Sequence, residues 1–259
     1  MIFYHTGTGN SAIIAKRIAH ITGDTLQRID ICAPSSYSLR LEERVVWIFP
    51  VYSWGIPPVV KRFIRQVSLE HGGGSGGLHF MVCSCGDDVG LTASMWRKEM
   101  RRRGWKACGA WSVQMPNNYV SLPGFDVDSP DLAGKKLEAA GSRLSEVVRG
   151  IECGARVDDV ERGAFAWIKS RLVYPLFMRF LMSPSPFRHN RSCVGCGRCA
   201  AVCPRRNITI HCRRPRWGSD CAMCLACYHV CPHHAVDYGK RTRTKGQYWA
   251  PKQLPDPQP

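Results

Sequence analysis

Over the first 150 residues, short apolar runs alternate with stretches of helical periodicity. The runs Ile2–Tyr4, Thr25–Ile29, Val45–Val51, His79–Cys83 and Cys108–Val113 read as strands. Between them Ser11–Ile21, Pro58–Val67 and Leu91–Arg103 read as helices, and Leu132–Val148 supplies a last covering helix. Strand and helix in alternation predict βαβ units, hence an α/β fold with a doubly wound, five-stranded parallel sheet. Pro57 and Pro58 suit a helix start, because a first turn has no use for the missing N–H. Gly72-Gly73-Gly74-Ser75-Gly76-Gly77 reads as a flexible surface loop inside this domain.

From Gly163 to Phe187 the pattern changes to a crowded apolar segment, Phe165, Trp167, Ile168, Leu172, Tyr174 and Leu176 among its members. Pro175 is expected to kink any helix there, and Ser183-Pro184-Ser185-Pro186 to end it. The segment reads as an interdomain helix packed on its neighbours. Lys169, Arg171 and Arg179 among the aromatics leave a weak contact with a membrane surface as the alternative. The expected division is therefore residues 1–150, a helical linker 151–186, a small α+β module 187–240, and a basic, Pro-rich tail 241–259.

Composition narrows the class. Hydrophobic residues at 44% and charged residues at 22% exclude a disordered chain. No run approaches the ~18–20 uncharged apolar residues of a membrane span, and Met1–His5 carry no basic segment leading into an apolar one. The expectation is a soluble, cytoplasmic chain. Fourteen cysteines would suit disulfides only in an oxidising compartment. Nine of them fall between Cys193 and Cys231 at short fixed spacings, which reads as metal ligation. The formal net charge is +16, of which residues 151–259 carry +11. Bound anionic cofactors offset part of it, and the excess predicts acidic redox-protein partners.

Cys193-x2-Cys196-x2-Cys199-x3-Cys203-Pro204 is repeated as Cys221-x2-Cys224-x2-Cys227-x3-Cys231-Pro232. Each is the run that holds a [4Fe–4S] cluster in bacterial two-cluster ferredoxins, with the fourth cysteine serving the other cluster. Cys193, Cys196, Cys199 and Cys231 should hold one cluster, and Cys221, Cys224, Cys227 and Cys203 the second. Zinc is the rival for a single Cys-x2-Cys pair, not for two complete runs. Cys212 reads as a bystander. His229, His233 and His234 read as surface or potential-tuning residues.

Thr6-Gly7-Thr8-Gly9-Asn10-Ser11 lies between the first strand and the first helix, where backbone N–H groups converge on a phosphate. Gly7-x-Gly9-x-x-Ala12 also satisfies the dinucleotide fingerprint, with Asp30 as the ribose-binding acid. The hydroxyls of Thr6, Thr8 and Ser11 favour a phosphate monoester, hence FMN. Two later strand-end loops suit its ring: Tyr52-Ser53-Trp54-Gly55, and Ser84-Cys85-Gly86-Asp87. His5 adds positive charge or serves structure, and Cys83 and Cys85 read as buried small hydrophobes. Arg101-Arg102-Arg103 with Lys106 reads as a solvated helix end.

The glycine loop resembles that of the flavodoxin family. By that resemblance Trp54 stacks on the flavin and Gly55 is the residue whose peptide flips beside it. The family's second aromatic is absent from Cys85–Gly90, with Tyr119 of Met115-Pro116-Asn117-Asn118-Tyr119 as substitute. End to end the chain looks like the flavodoxin–ferredoxin fusion proteins called ferrodoxins. The resemblance implies electron relay among two [4Fe–4S] clusters, FMN and partner redox proteins. A flavin-dependent reductase of a small organic acceptor is the rival. A specific nucleic-acid binder is not expected, because Arg205, Arg206, Arg213 and Arg214 come with no recognition helix.

Overall fold

The structure is a computed structural model that describes residues 1–29, 36–40, 43–71 and 77–255. Asp30, Cys32 and most of the glycine-rich stretch after His71 lie outside the described residues. The elements run β1 (Ile2–Tyr4), α1 (Asn10–Thr22), β2 (Leu26–Arg28), β3 (Ser36–Leu39), β4 (Val45–Pro50), α2 (Pro58–Gln66) and β5 (Ser68–His71). Then follow β6 (Leu78–Cys85), α3 (Thr92–Arg102), β7 (Lys106–Gln114), α4 (Pro130–Glu152) and β8 (Asp158–Asp159).

Six strands form one parallel sheet in the order β2-β1-β4-β6-β7-β8. β3 and β5 pair apart from it. The sequence predicts five of the six and misses β8, a two-residue, exposed Asp-Asp strand. Its place is set by long-range partners: Ala110 donates to the Val157 carbonyl at 2.8 Å, and Arg97 and Arg143 pair with Asp158 and Asp159.

Strand side chains alternate faces, so neighbouring residues of β4 enter different cores. Val45, Trp47 and Phe49 join Val60, Phe63 and Ile64 of α2 and Trp96 and Met100 of α3. Val46 and Ile48 join Ile14 and Ile18 of α1 and Leu144 and Val147 of α4. The helix ends follow their residues. Gly23 closes α1 in a left-handed conformation, its N–H on the Ala19 carbonyl. Pro130 opens α4 behind Ser129, whose hydroxyl accepts from the Leu132 N–H.

Winding reverses between β1 and β4, so the loops after their carboxyl ends diverge there. The helix of residues 166–181 lies across that edge. Pro175 does not break it. Its turns widen to π geometry at Lys169–Val173 and Phe177–Leu181, on either side of the proline. Such widening re-registers the hydrogen bonds that a proline forfeits. No helix among the described residues is long and apolar enough to cross a membrane.

The remaining module consists of β9 (Phe187–His189), β10 (Ile208–His211), β11 (Arg214–Trp217) and β12 (Val236–Tyr238), with two one-turn helices at Arg198–Ala201 and Ala226–His229. β9 pairs with β12, and β10 with β11, both antiparallel. Its core of Phe187, Met223, Leu225, Tyr228 and Val236 includes Val120 of the first domain. The tail is not a free extension: Lys245 donates to the carbonyls of Val120, Leu122 and Phe125.

Glu99, at 3% exposure, anchors α3 to α2. Burial alone would raise its pKa, but the Arg65 hydrogen bonds and the charges of Arg65, Lys61 and Arg102 hold the carboxyl below the ordinary range. Its folded pKa being depressed, the stabilisation is complete above the unfolded value of about 4.3 and is lost as pH falls through the folded one. Glu99→Gln is expected to cost about 1–2 kcal/mol at pH 7, discounted because Arg65 is half-exposed. Urea unfolding should show the gap between variant and wild type closing below about pH 4.

Candidate functional site

The two cysteine runs adopt one backbone twice. In the first, Gly195 and Gly197 have φ of 74° and 77°; in the second, Met223 and Leu225 stand at the same places with 51° and 58°. Three residues beyond each fourth cysteine, Arg206 and His234 are again left-handed, at 49° and 46°. The residue after each closes back on its cysteine: the Asn207 N–H donates to Cys203 Sγ at 3.3 Å and the Ala235 N–H to Cys231 Sγ at 3.2 Å. Non-glycine residues in this region cost roughly 1–2 kcal/mol each, so the repeat is imposed by what surrounds it.

The cysteines group across the repeat. Cys193, Cys196, Cys199 and Cys231 border a single cavity. Burial raises the Cys199 thiol pKa, and Cys193 and Cys231 are the thiols that raise it further. Around Cys227 the perturbing thiols are Cys224, Cys221 and Cys203. Burial pushes Cys221 to about 11 and Cys224 to about 12, with Cys203 adding to both. Among the described residues no three His, Cys, Asp or Glu side chains converge closely enough to hold one metal ion. All thirteen cysteines of the described residues are unpaired. Cys212 is exposed at the β10–β11 turn, in neither set.

The second set is pressed against the sheet. A methyl group on Gly7 would lie 2.5 Å from the Cys224 carbonyl oxygen, so only glycine admits this approach. Around the contact are buried polar atoms with no hydrogen-bond partner: both ring nitrogens of His5, the Tyr52 hydroxyl and Arg205 Nη1. Burial, then the charges of Arg28 and Arg205, holds His5 neutral with a pKa of about 3. Burial raises the Tyr52 pKa well above its ordinary value, and Cys224 and Cys221 add to it. Unsatisfied buried groups require an explanation. A sulfur-rich acceptor on the second set suits the Tyr52 hydroxyl and the Arg205 guanidinium. The residues present therefore fit an iron–sulfur cluster.

The three loops read as a flavin site do converge on this edge. Ser11 Oγ meets Ser84 Oγ at 2.8 Å, and the Val51 N–H donates to the Ser84 carbonyl. Their groups are spent on the chain itself. Thr6 Oγ1 accepts from Gly9 N–H, Thr8 Oγ1 from Asn118, and Asn10 Oδ1 from the Tyr248 hydroxyl at 2.8 Å. Ala250 covers Gly9 and donates to the Thr8 carbonyl.

At the ring end, Tyr174 lies on Gly55, where a methyl group would meet its ring at 2.3 Å. The Ser170 hydroxyl donates to the Trp54 carbonyl, and Lys169 stands 5.2 Å from the Trp54 ring while pairing with Asp88. Gly86 packs on Asn117, Cys85 is buried with its pKa pushed to about 12 by burial and Asp87, and Asp87 is exposed. Ser53 and Trp54 both have positive φ, at 45° and 62°. Tyr119 packs edge-on to Phe125 and Phe177. In this packing the loops do not fit FMN, because helix 166–181, Cys224 and the tail take its place.

His229, read from the sequence as a surface or potential-tuning residue, is buried, which removes the first alternative. Its Nε2–H donates to the Asn118 carbonyl at 2.7 Å and its Nδ1 accepts from the Tyr248 N–H. Burial lowers its pKa to about 4, in keeping with the neutral ring those two bonds require. It pins the module, the first domain and the tail at one point. Arg103, read as solvated, donates to the carbonyls of Arg65 and Val67 and caps the Trp105 ring at 4.6 Å.

Residues 188–209 match the family of 4Fe-4S binding domains, a match that contains Cys193, Cys196, Cys199 and Cys203. No curated protein matches the chain.

The Gly7 contact is separable from glycine content in general. Gly7→Ala forces backbone against backbone and is expected to cost about 1–3 kcal/mol. Gly134→Ala, in the second turn of α4 with open space around it, should gain about 0.5–1 kcal/mol. Thermal unfolding of the two variants under anaerobic conditions checks the opposite signs.

Proposed function

We propose that the chain is an electron carrier holding two [4Fe–4S] clusters, one on Cys193, Cys196, Cys199 and Cys231, the other on Cys203, Cys221, Cys224 and Cys227. The observation that supports this reading is that Cys231 lines one cavity with Cys193, Cys196 and Cys199, while Cys203 lies near Cys221, Cys224 and Cys227, in two runs of the same backbone. A bound cluster supplies one-electron chemistry, and what the protein contributes is spacing, burial and hydrogen bonds to sulfur. Here Asn207, Met223 and Ala235 aim N–H groups at Cys203, Cys221 and Cys231. The buried indole N–H of Trp217 is directed at Cys227, whose thiol pKa that hydrogen bond lowers against the effect of burial. Charge and exposure favour acidic redox proteins as partners: Cys196 is exposed, so the first set is the point of contact, while the second faces the sheet.

The sheet domain carries a second, separable claim. Leaving aside β3, β5 and the edge strand β8, its strands take the 2-1-3-4-5 order of flavodoxin-like folds, in which FMN sits at the reversal of winding. The helix α1 begins at that reversal with no side-chain cap. For FMN to bind, helix 166–181 and residues 248–250 must first leave the loops. A flavin-dependent reductase depends on the same displacement.

Anaerobic preparation should give about eight irons and eight sulfides per chain. Paired variants test the assignment. Cys196→Ser with Cys231→Ser, both in one set, should leave about four irons. Cys196→Ser with Cys203→Ser, one from each, should leave none. If the second pair keeps four irons and the first keeps none, each run holds its own cluster and the exchange is wrong. FMN titrated into the iron-loaded protein separates the second claim: stoichiometric quenching of flavin fluorescence would support it, and unchanged fluorescence would remove it without touching the clusters.

A further inference from the structure

The helix of residues 166–181 has two apolar faces. Ser170, Tyr174 and Phe177 form the inner one, buried against the Trp54 and Leu91 loops and Tyr119. Opposite them Ile168, Leu172, Leu176 and Phe180 recur every four residues and are all exposed, the last by 64%. Phe165 and Trp167 extend the outer stripe at 75% and 62% exposure. A surface helix ordinarily turns polar residues outward, and contiguous exposed apolar surface marks an interaction site. At about 24 Å it is too short to span a bilayer.

Charge selects the occupant. From Arg162 to Ser219 the chain has twelve Lys and Arg and not one Asp or Glu. Arg171 and Arg179 are exposed on the helix itself. A second copy would bring like charges together, so the host is anionic. It must also accept bulky side chains projecting from a convex helix, which a bilayer interface does without a preformed pocket. We propose that this face docks on an anionic phospholipid surface, with the stripe in the acyl–headgroup boundary and the basic residues among the headgroups. The inference does not depend on how many clusters or flavins the protein holds.

The test is flotation of the full, iron-loaded chain with vesicles of phosphatidylcholine alone or mixed with phosphatidylglycerol. Flotation with the mixed vesicles only, reduced by added salt, is expected. Leu172→Glu with Leu176→Glu should cut the floated fraction at least tenfold, and Arg171→Glu with Arg179→Glu should cut it severalfold without altering any apolar residue. Circular dichroism and iron content establish that the variants fold. The proposal is overturned if wild type fails to float with the mixed vesicles, or if both double variants float as well as wild type. It is equally overturned if the stripe mediates only self-association or capture of an acidic protein, read by light scattering and pull-down, with no lipid binding.

Discussion

The close approach of the Cys224 backbone to Gly7 is the constraint around which the rest is arranged. It brings the inner cysteine set to the carboxyl edge of the parallel sheet, where β1 and β4 part, and it tolerates no side chain at position 7. Everything that closes over the contact then has to satisfy polar groups left in the dark. The tail does part of this, with Ala250 on Thr8, Tyr248 on Asn10, and Gln247 on the carbonyls of Tyr228 and Cys231. His229 does another part. What remains unpaired (the His5 ring nitrogens, the Tyr52 hydroxyl and Nη1 of Arg205, whose Nη2 is taken by Asp220) sits beside the thiols. That is the place where an electron-rich cofactor would be the missing acceptor.

Burial also gives the two cysteine sets different electronic settings. Burial raises the pKa of Cys221, Cys224 and Cys227, and thiols raised in this way must release protons to bind iron. The outer set opens to solvent at Cys196. Cluster potentials respond to exposure and to N–H groups aimed at sulfur, so two centres of identical ligand type need not be equivalent. On the proposed reading the outer centre would lie nearer solvent, at Cys196, and the inner one against the sheet, at Gly7.

Long apolar runs made the strands legible: Ile2–Tyr4 was placed to the residue, and β4, β6 and β7 within a few. β8 was illegible because nothing local marks two exposed aspartates as a strand; Arg97 and Arg143 place them. Pro175 was legible as a disturbance of the helix, and the fold places widened π turns on either side of it. The cysteine spacing pointed to 4Fe-4S binding, and the family match over residues 188–209 contains the first run. The glycine loop was the instructive case. Its local pattern is that of a phosphate cradle, yet its partner in this packing is a cysteine backbone more than two hundred residues away, a contact no window of sequence contains. For the same reason the burial of His229 against Asn118 and Tyr248 was not legible.

The difference between the two runs follows from where each one sits. Both need left-handed residues two and four places after the first cysteine. The outer run uses Gly195 and Gly197, which take that conformation freely and bury nothing. The inner run uses Met223 and Leu225, at roughly 1–2 kcal/mol of backbone strain each. Those side chains are 5% and 3% exposed, inside the core that joins the module to Val120 of the first domain. Burying a side chain of that size contributes about 1.5–3 kcal/mol, enough to offset the strain. The inner run therefore trades conformational ease for contact, and the repeat is asymmetric because one half faces water while the other faces protein.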